Sequence, residues 1–114
     1  MEDCIFCKII AGEMESEILY EDEEVIAFKD IEPQAPIHFL IVPKKHIPTL
    51  LDIEEGDNEL IGHIHQVANQ LARQEGIAED GFRIVSNCNE AGGQIVDHIH
   101  YHLLGGRNLQ WPPG

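Results

Sequence analysis

Positive charge is scarce in this sequence: 7 Lys and Arg stand against 21 Asp and Glu, a formal net charge of −14 at pH 7. A duplex nucleic acid, held by cations that neutralise its phosphates, is therefore not an expected partner. Any anionic substrate would need a local electropositive pocket. Long apolar runs are missing as well. None approaches the roughly 20 residues that cross a bilayer, so no membrane partner is expected, yet 43% of the residues are hydrophobic, enough for a globular core. The start, Met1-Glu2-Asp3-Cys4, carries acids where a secretory signal carries positive charge, and the expected location is cytoplasmic. Three cysteines are an odd number and, without an export signal, suggest no disulfide framework. Repeats, low-complexity tracts and flexible linkers are absent too, and 114 residues suit one domain spanning 1–114.

What is present reads as alternating short elements. Ile5, Phe6, Ile9 and Ile10 are spaced to cover one face of a short helix over residues 4–10, stopped by Gly12. Strands over 18–20 and 25–29 flank the acidic bend Glu21-Asp22-Glu23-Glu24, a hairpin. Pro33 and Pro36 mark a loop, and 38–42 resumes as a buried strand. From 58 to 74, Leu60, Ile61, Ile64, Val67, Ala68 and Leu71 recur at helical spacing, with Gly76 just past the end. Strands over 82–86 and 98–104 follow, separated by Gly92-Gly93. Hairpin-linked strands, one long helix and no βαβ alternation predict an α+β fold with an antiparallel sheet and the helix on one face.

The densest chemistry lies in Asp97-His98-Ile99-His100-Tyr101-His102. Side chains alternate along a strand, so His98, His100 and His102 share a face, about 7 Å apart. Two uses fit the spacing equally: nitrogen ligands around one ion, or a phosphate site. The preceding Glu90-Ala91-Gly92-Gly93-Gln94 lets backbone amides approach a ligand closely, as in anion-binding nests, although it is also an ordinary glycine turn. Amides beside protonated imidazoles would stabilise charge developing on phosphoryl oxygens. Cys4-x-x-Cys7 presents two thiolates one helical turn apart. It fits a zinc site with imidazoles or two buried apolar thiols; a redox role would need a thioredoxin-like context that is absent.

Taken together, Cys4-Ile5-Phe6-Cys7-Lys8-Ile9-Ile10, Phe28-Lys29-Asp30-Ile31, Pro33-Gln34-Ala35-Pro36-Ile37-His38-Phe39, Pro43-Lys44-Lys45-His46-Ile47, the His-x-His-x-His run and the tail from Gly105-Gly106-Arg107 through Trp111-Pro112-Pro113-Gly114 resemble the histidine triad (HIT) family. The likeness is to its Hint branch, the purine nucleoside phosphoramidate hydrolases, and covers nearly the whole chain. It implies a five-stranded antiparallel sheet with one long and one short N-terminal helix, continued across a homodimer. It further implies hydrolysis of nucleoside phosphoramidates or aminoacyl-adenylates to the monophosphate, by way of a nucleotidyl-histidine, with no organic cofactor. A nucleotide-binding scaffold with incidental turnover is the alternative.

By the same resemblance the catalytic residues are His98, His100, His102 and His38: His100 is the nucleophile, His102 contacts the phosphate, and His38, from a facing strand, helps orient it. Asn87 and the Gly93 backbone match phosphate-binding positions, Asp30 a ribose-binding one, and Gln94 is counted among the substrate-binding residues. Ile5, Phe6, Ile9, Phe28 and Ile31 match a purine slot, and Trp111 would lie near the partner's site. Cys4, Cys7, His46 and His98 match a structural zinc site. Ile95 departs from the pattern, standing where Hint enzymes usually carry a serine that assists the leaving group. His63 and His65 match nothing catalytic and read as helix surface, and Cys88 is assigned no role.

Overall fold

The computed structural model describes residues 4–114; Met1, Glu2 and Asp3, on which the expectation about location partly rests, lie outside the described residues. In chain order the elements are α1 (Ile5–Ile10), β1 (Ile18–Glu21), β2 (Val25–Lys29), β3 (Ile37–Pro43), α2 (Asn58–Gln74), β4 (Phe82–Val85), α3 (Asn89–Gly92) and β5 (Tyr101–Gly105). Two single turns of 3₁₀ helix, Leu50–Asp52 and Glu55–Asp57, lead into α2. The strands form one antiparallel sheet in the order β1-β2-β3-β5-β4. No helix among the described residues is long and apolar enough to cross a membrane.

Period-two alternation divides the sheet into two apolar faces. Val25, Ala27, Phe39, Ile41, Tyr101 and Leu103 face α2, where Leu60, Ile64, Val67, Ala68 and Leu71 form the matching stripe. Helix α2 ends as its sequence predicts, with Gly76 at φ +75°, where a side chain would be strained. The opposite face carries Ile26, Phe28, Leu40 and Val42, and α1 closes over it with Cys4, Phe6 and Ile9. A helix on one face alone was thus too simple. The short α1 is a second layer, because Leu40 and Val42 of β3, with Ile26 and Phe28 of β2, make that face apolar too.

Three further expectations are corrected. The last strand begins at Tyr101 rather than at residue 98, since the ladder between β3 and β5 ends at the Ile41–Tyr101 pair and Pro43 beyond it has no N–H to extend it. The glycine turn between the last two strands contains a helical turn, α3, closed by Gly93 at φ +89°. Finally, β3 and β5 are neighbours in one sheet, so His38 lies beside the triad strand and does not face it.

Candidate active site

Although His98 and His100 precede β5, the predicted alternation survives. Ile99, Tyr101 and Leu103 enter the α2-facing core, while His98 and His100 both lie edge-on to Phe6 of α1, with ring centroids 5.9 and 4.9 Å away. A bond from the Ile99 amide to the Ile47 carbonyl (2.7 Å) ties this segment down beside His46. The rings of His100 and His102 are 5.2 Å apart. On β3, His38 pairs with Leu104 while Leu40 pairs with His102, so His38 and His102 are diagonal neighbours on one face.

The hydrogen bonds assign a proton to each ring. Nδ1 of His100 lies 2.8 Å from the carbonyl of His98. A carbonyl only accepts, so Nδ1 carries the hydrogen and Nε2 keeps its lone pair. In His38, Nδ1 accepts the Gln34 amide at 3.0 Å, which puts the hydrogen on Nε2. That atom is 2.9 Å from Nδ1 of His102 and 3.4 Å from Asp30 Oδ2. His102 therefore accepts at Nδ1 and, as a neutral ring, carries its own hydrogen on Nε2.

The surroundings favour the neutral form of all three rings. Burial pushes His38 below the usual imidazole range against the pull of Asp30, and His100 below it against the His98 carbonyl bond and Asp30. Burial, with His100 and His38 beside it, takes His102 down to about 4. Protonated imidazoles are thus replaced by oriented N–H dipoles and a lone pair. Lys29, Lys44 and Lys45 are engaged with Glu17, Glu21 and Asp57.

A separate cluster gathers Cys4, Cys7, His46 and His98, whose donor atoms all lie within 4.8 Å of one another. Sγ of Cys4 is 3.3 Å from Nδ1 of His98, Sγ of Cys7 is 3.3 Å from Nδ1 of His46, and the two Nδ1 atoms are 3.1 Å apart. Tetrahedral zinc with bonds of about 2.0 Å to nitrogen and about 2.3 Å to sulfur would place N–N at about 3.3 Å and N–S at about 3.5 Å, so the four are compatible with zinc. Nε2 of His98 donates to the Pro43 carbonyl at 2.7 Å, which leaves its Nδ1 lone pair for a cation and fixes the ring as outer-shell bonds do in metal sites.

Asp30, His38 and His102 are also close enough to invite a metal, but their protons oppose it. A cation on Nε2 of His38 would drive the hydrogen to Nδ1, against the Gln34 amide. The proton pattern thus separates two uses that spacing left level. His98 turns to the cysteine pair, and His38, His100 and His102 form a hydrogen-bonded group.

The other expected residues are placed as follows. Phe6, Ile9 and Phe28 are buried, with Phe6 and Phe28 ring centroids 5.8 Å apart, whereas Ile5, Ile31 and Trp111 are exposed. Ile9 also lines an open surface groove with Met14, Glu15, Glu17 and Ile18. Asp30 accepts the Glu32 amide at 2.8 Å. Asn87 lies beside Gly93, where an added Cβ would come 4.0 Å from Asn87 Nδ2.

The free anion nest is corrected. The Gly93 and Gln94 amides donate to Glu90 and Asn89 carbonyls (3.0 and 3.1 Å) in closing α3. The Gln94 side chain braces the loop, accepting from the Asn89 amide and donating to the Pro48 and Val96 carbonyls. Ser86, which the sequence did not single out, donates to the His100 carbonyl at 2.9 Å. His63 is more than helix surface: its Nε2 lies 2.6 Å from Asp22 Oδ2. His65 is exposed on the helix, its ring edge-on to Tyr101.

Set against known proteins, residues 11–109 match the HIT domain. The purine nucleoside phosphoramidase of Escherichia coli (strain K12) is 53% identical over 108 residues, 95% of this chain and 91% of that protein. The HIT family hydrolase from Legionella pneumophila Philadelphia 1 superposes with a TM-score of 0.97 at 53% identity, covering 98% of this chain and all of the other (100%). A histidine triad protein from Clostridium difficile gives 0.93 at 48% identity, covering 96% of each.

Proposed function

The chain belongs to the HIT domain family, and on that footing we propose that it hydrolyses purine nucleoside phosphoramidates, with aminoacyl-adenylates as related substrates, to the nucleoside monophosphate through a covalent bond to His100. The observation that carries this reading is the Nδ1 bond of His100 to the His98 carbonyl (2.8 Å), because it leaves Nε2 deprotonated in a ring whose burial favours the neutral form. Such a nitrogen can attack phosphorus without first losing a proton.

As His100 Nε2 bonds to phosphorus, the P–N bond breaks and the departing nitrogen takes up a proton from solvent. The Nε2–H of neutral His102 is the ring donor that can serve a phosphoryl oxygen, while Ser86 holds the peptide of His100 in place. Water then attacks phosphorus and gives up its proton to solvent as the P–Nε2 bond to His100 breaks, and the monophosphate is released. Asp30 keeps carboxylate lone pairs to accept ribose hydroxyls. Asn87 beside Gly93 bears on the phosphate. Ile5, Phe6, Ile9, Phe28 and Ile31 would take the purine.

In this reading Cys4, Cys7, His46 and His98 hold zinc, which when bound supplies structural cross-linking and no chemistry. The chain works in the cytoplasm as one domain in a homodimer whose second copy continues the sheet, with Trp111, 81% exposed here, near the partner's site. The decisive experiment is mass measurement after incubation with a slowly cleaved adenosine phosphoramidate. Wild type should show a nucleotidyl adduct on His100, and His100→Ala should lose the adduct and on the order of a thousandfold or more in turnover. An adduct on another residue, or undiminished turnover in that variant, overturns the assignment.

A further inference from the structure

One loop residue is gripped from both sides. The amide of Gln34 donates to Nδ1 of His38 at 3.0 Å, and its carbonyl accepts from Nε of Arg107, also at 3.0 Å. A second donor of the guanidinium, Nη1, bonds the Asn108 carbonyl at 3.2 Å. The approach that permits this depends on glycine: at Gly106, φ is +91° and a Cβ would meet Cβ of Pro36 at 2.9 Å. The tail leaving β5 therefore lies directly on the Pro33–Pro36 loop.

We propose that Arg107 is a positioning residue that holds the Gln34 peptide and thereby fixes the tautomer of His38 and, through it, that of His102. An imidazole has two neutral tautomers, and an amide pointed at Nδ1 is compatible with only one of them. With Nδ1 accepting, Nε2 of His38 must donate to Nδ1 of His102, which keeps the hydrogen of His102 on Nε2. Released from Arg107, the loop no longer holds its amide on the ring; the Asp30 carboxylate, 3.4 Å from Nε2, still favours the native form, but the second tautomer of His38 gains population. In the wrong one a lone pair meets the Nδ1 lone pair of His102, and His102 relieves the clash by moving its hydrogen inward. The donor directed at the phosphoryl group is then lost, although no residue touching substrate has changed.

The catalytic consequence rests on the proposed role of His102, but the tautomers can be read without substrate. Ring ¹⁵N shifts of the ligand-free protein distinguish the two forms. Wild type should show His38 and His102 each protonated on Nε2. Arg107→Ala should give mixed tautomers at both rings, with kcat for an adenosine phosphoramidate falling about ten- to a hundredfold, the scale of outer-shell losses, and KM nearly unchanged. Gln34→Pro, which deletes the amide donor, should reproduce the effect. Gln34→Ala keeps both backbone groups and should retain the wild-type rings, and Arg107→Lys, which still offers the carbonyl a donor, should restore most of the pattern.

Folding of each variant is checked from its amide spectrum, and Arg107→Lys against wild type carries the comparison should the harsher variants not fold. Ring spectra unchanged in Arg107→Ala, even with a lower kcat, overturn the proposal, as does a Lys variant no closer to wild type than the Ala one. If wild type turns over no phosphoramidate, the activity assigned above fails while the ring spectra still decide the clamp.

Discussion

Nδ1 of His98 stands 3.1 Å from Nδ1 of His46, a spacing two imidazoles adopt around a shared partner. With both cysteine sulfurs nearby and the His98 hydrogen committed to Pro43, a zinc ion would join α1, the segment after β3 and the triad strand, three pieces otherwise far apart in sequence. Protein purified without chelator should contain about one zinc per chain. Cys4→Ser/Cys7→Ser should lose it and about 2 kcal/mol of stability or more, roughly 8 °C in Tm. Metal content well below stoichiometric, or an unchanged Tm in the double variant, would dispose of the site.

Ile95 is 93% exposed, so it contributes almost nothing to packing, and Gln94 before it is anchored by three hydrogen bonds. A serine there would add a hydroxyl to a loop already fixed. Given the proposed reaction, Ile95→Ser should raise kcat for a phosphoramidate by about tenfold, a conservative share of what one well-placed donor contributes, at unchanged stability. Steady-state kinetics of the two proteins decide it, and no gain in kcat would mean that the loop does not face the leaving group.

Much of this was legible in the sequence because period and spacing carried it. Helix α2 was readable to the residue from its apolar stripe, and Cys4-x-x-Cys7 with His46 and His98 from the resemblance. Illegible were the features that depend on where a proton sits. The bare His-x-His-x-His pattern suits a metal as well as a phosphate, and only the carbonyls of His98 and Pro43 and the amide of Gln34 separate the uses. Backbone groups of that kind leave no trace in residue identity. Nor did composition foresee neutral histidines, since burial depresses them only after the sheet and α1 have enclosed them.

Gly105 lies where β5 passes Ile77, and a Cβ there would stand 2.5 Å from Cδ1 and 3.2 Å from Cβ of that side chain. The terminal methyl can swing away, but the second contact is to the rigid end. Gly105→Ala should therefore cost about 1–3 kcal/mol through overpacking, measured by denaturant unfolding. Adding Ile77→Ala should recover part of that loss, giving a favourable coupling in the double-mutant cycle. Strict additivity would show that the two positions do not press on each other.

The depressed histidine at the end of the triad sets a pH window for stability. His102 is held down to about 4 in the folded chain, chiefly by burial and then by His100 and His38, against an ordinary imidazole value of about 6.5. Between those limits the unfolded chain binds a proton that the native one refuses, so stability is full above about 6.5 and falls as the pH drops toward 4. His102→Gln, uncharged at every pH, should lose less stability than wild type over that interval while both behave alike above pH 7. Parallel stability curves for the two proteins from pH 7 to pH 4 would mean that the His102 ring titrates normally and is not enclosed among its neighbours.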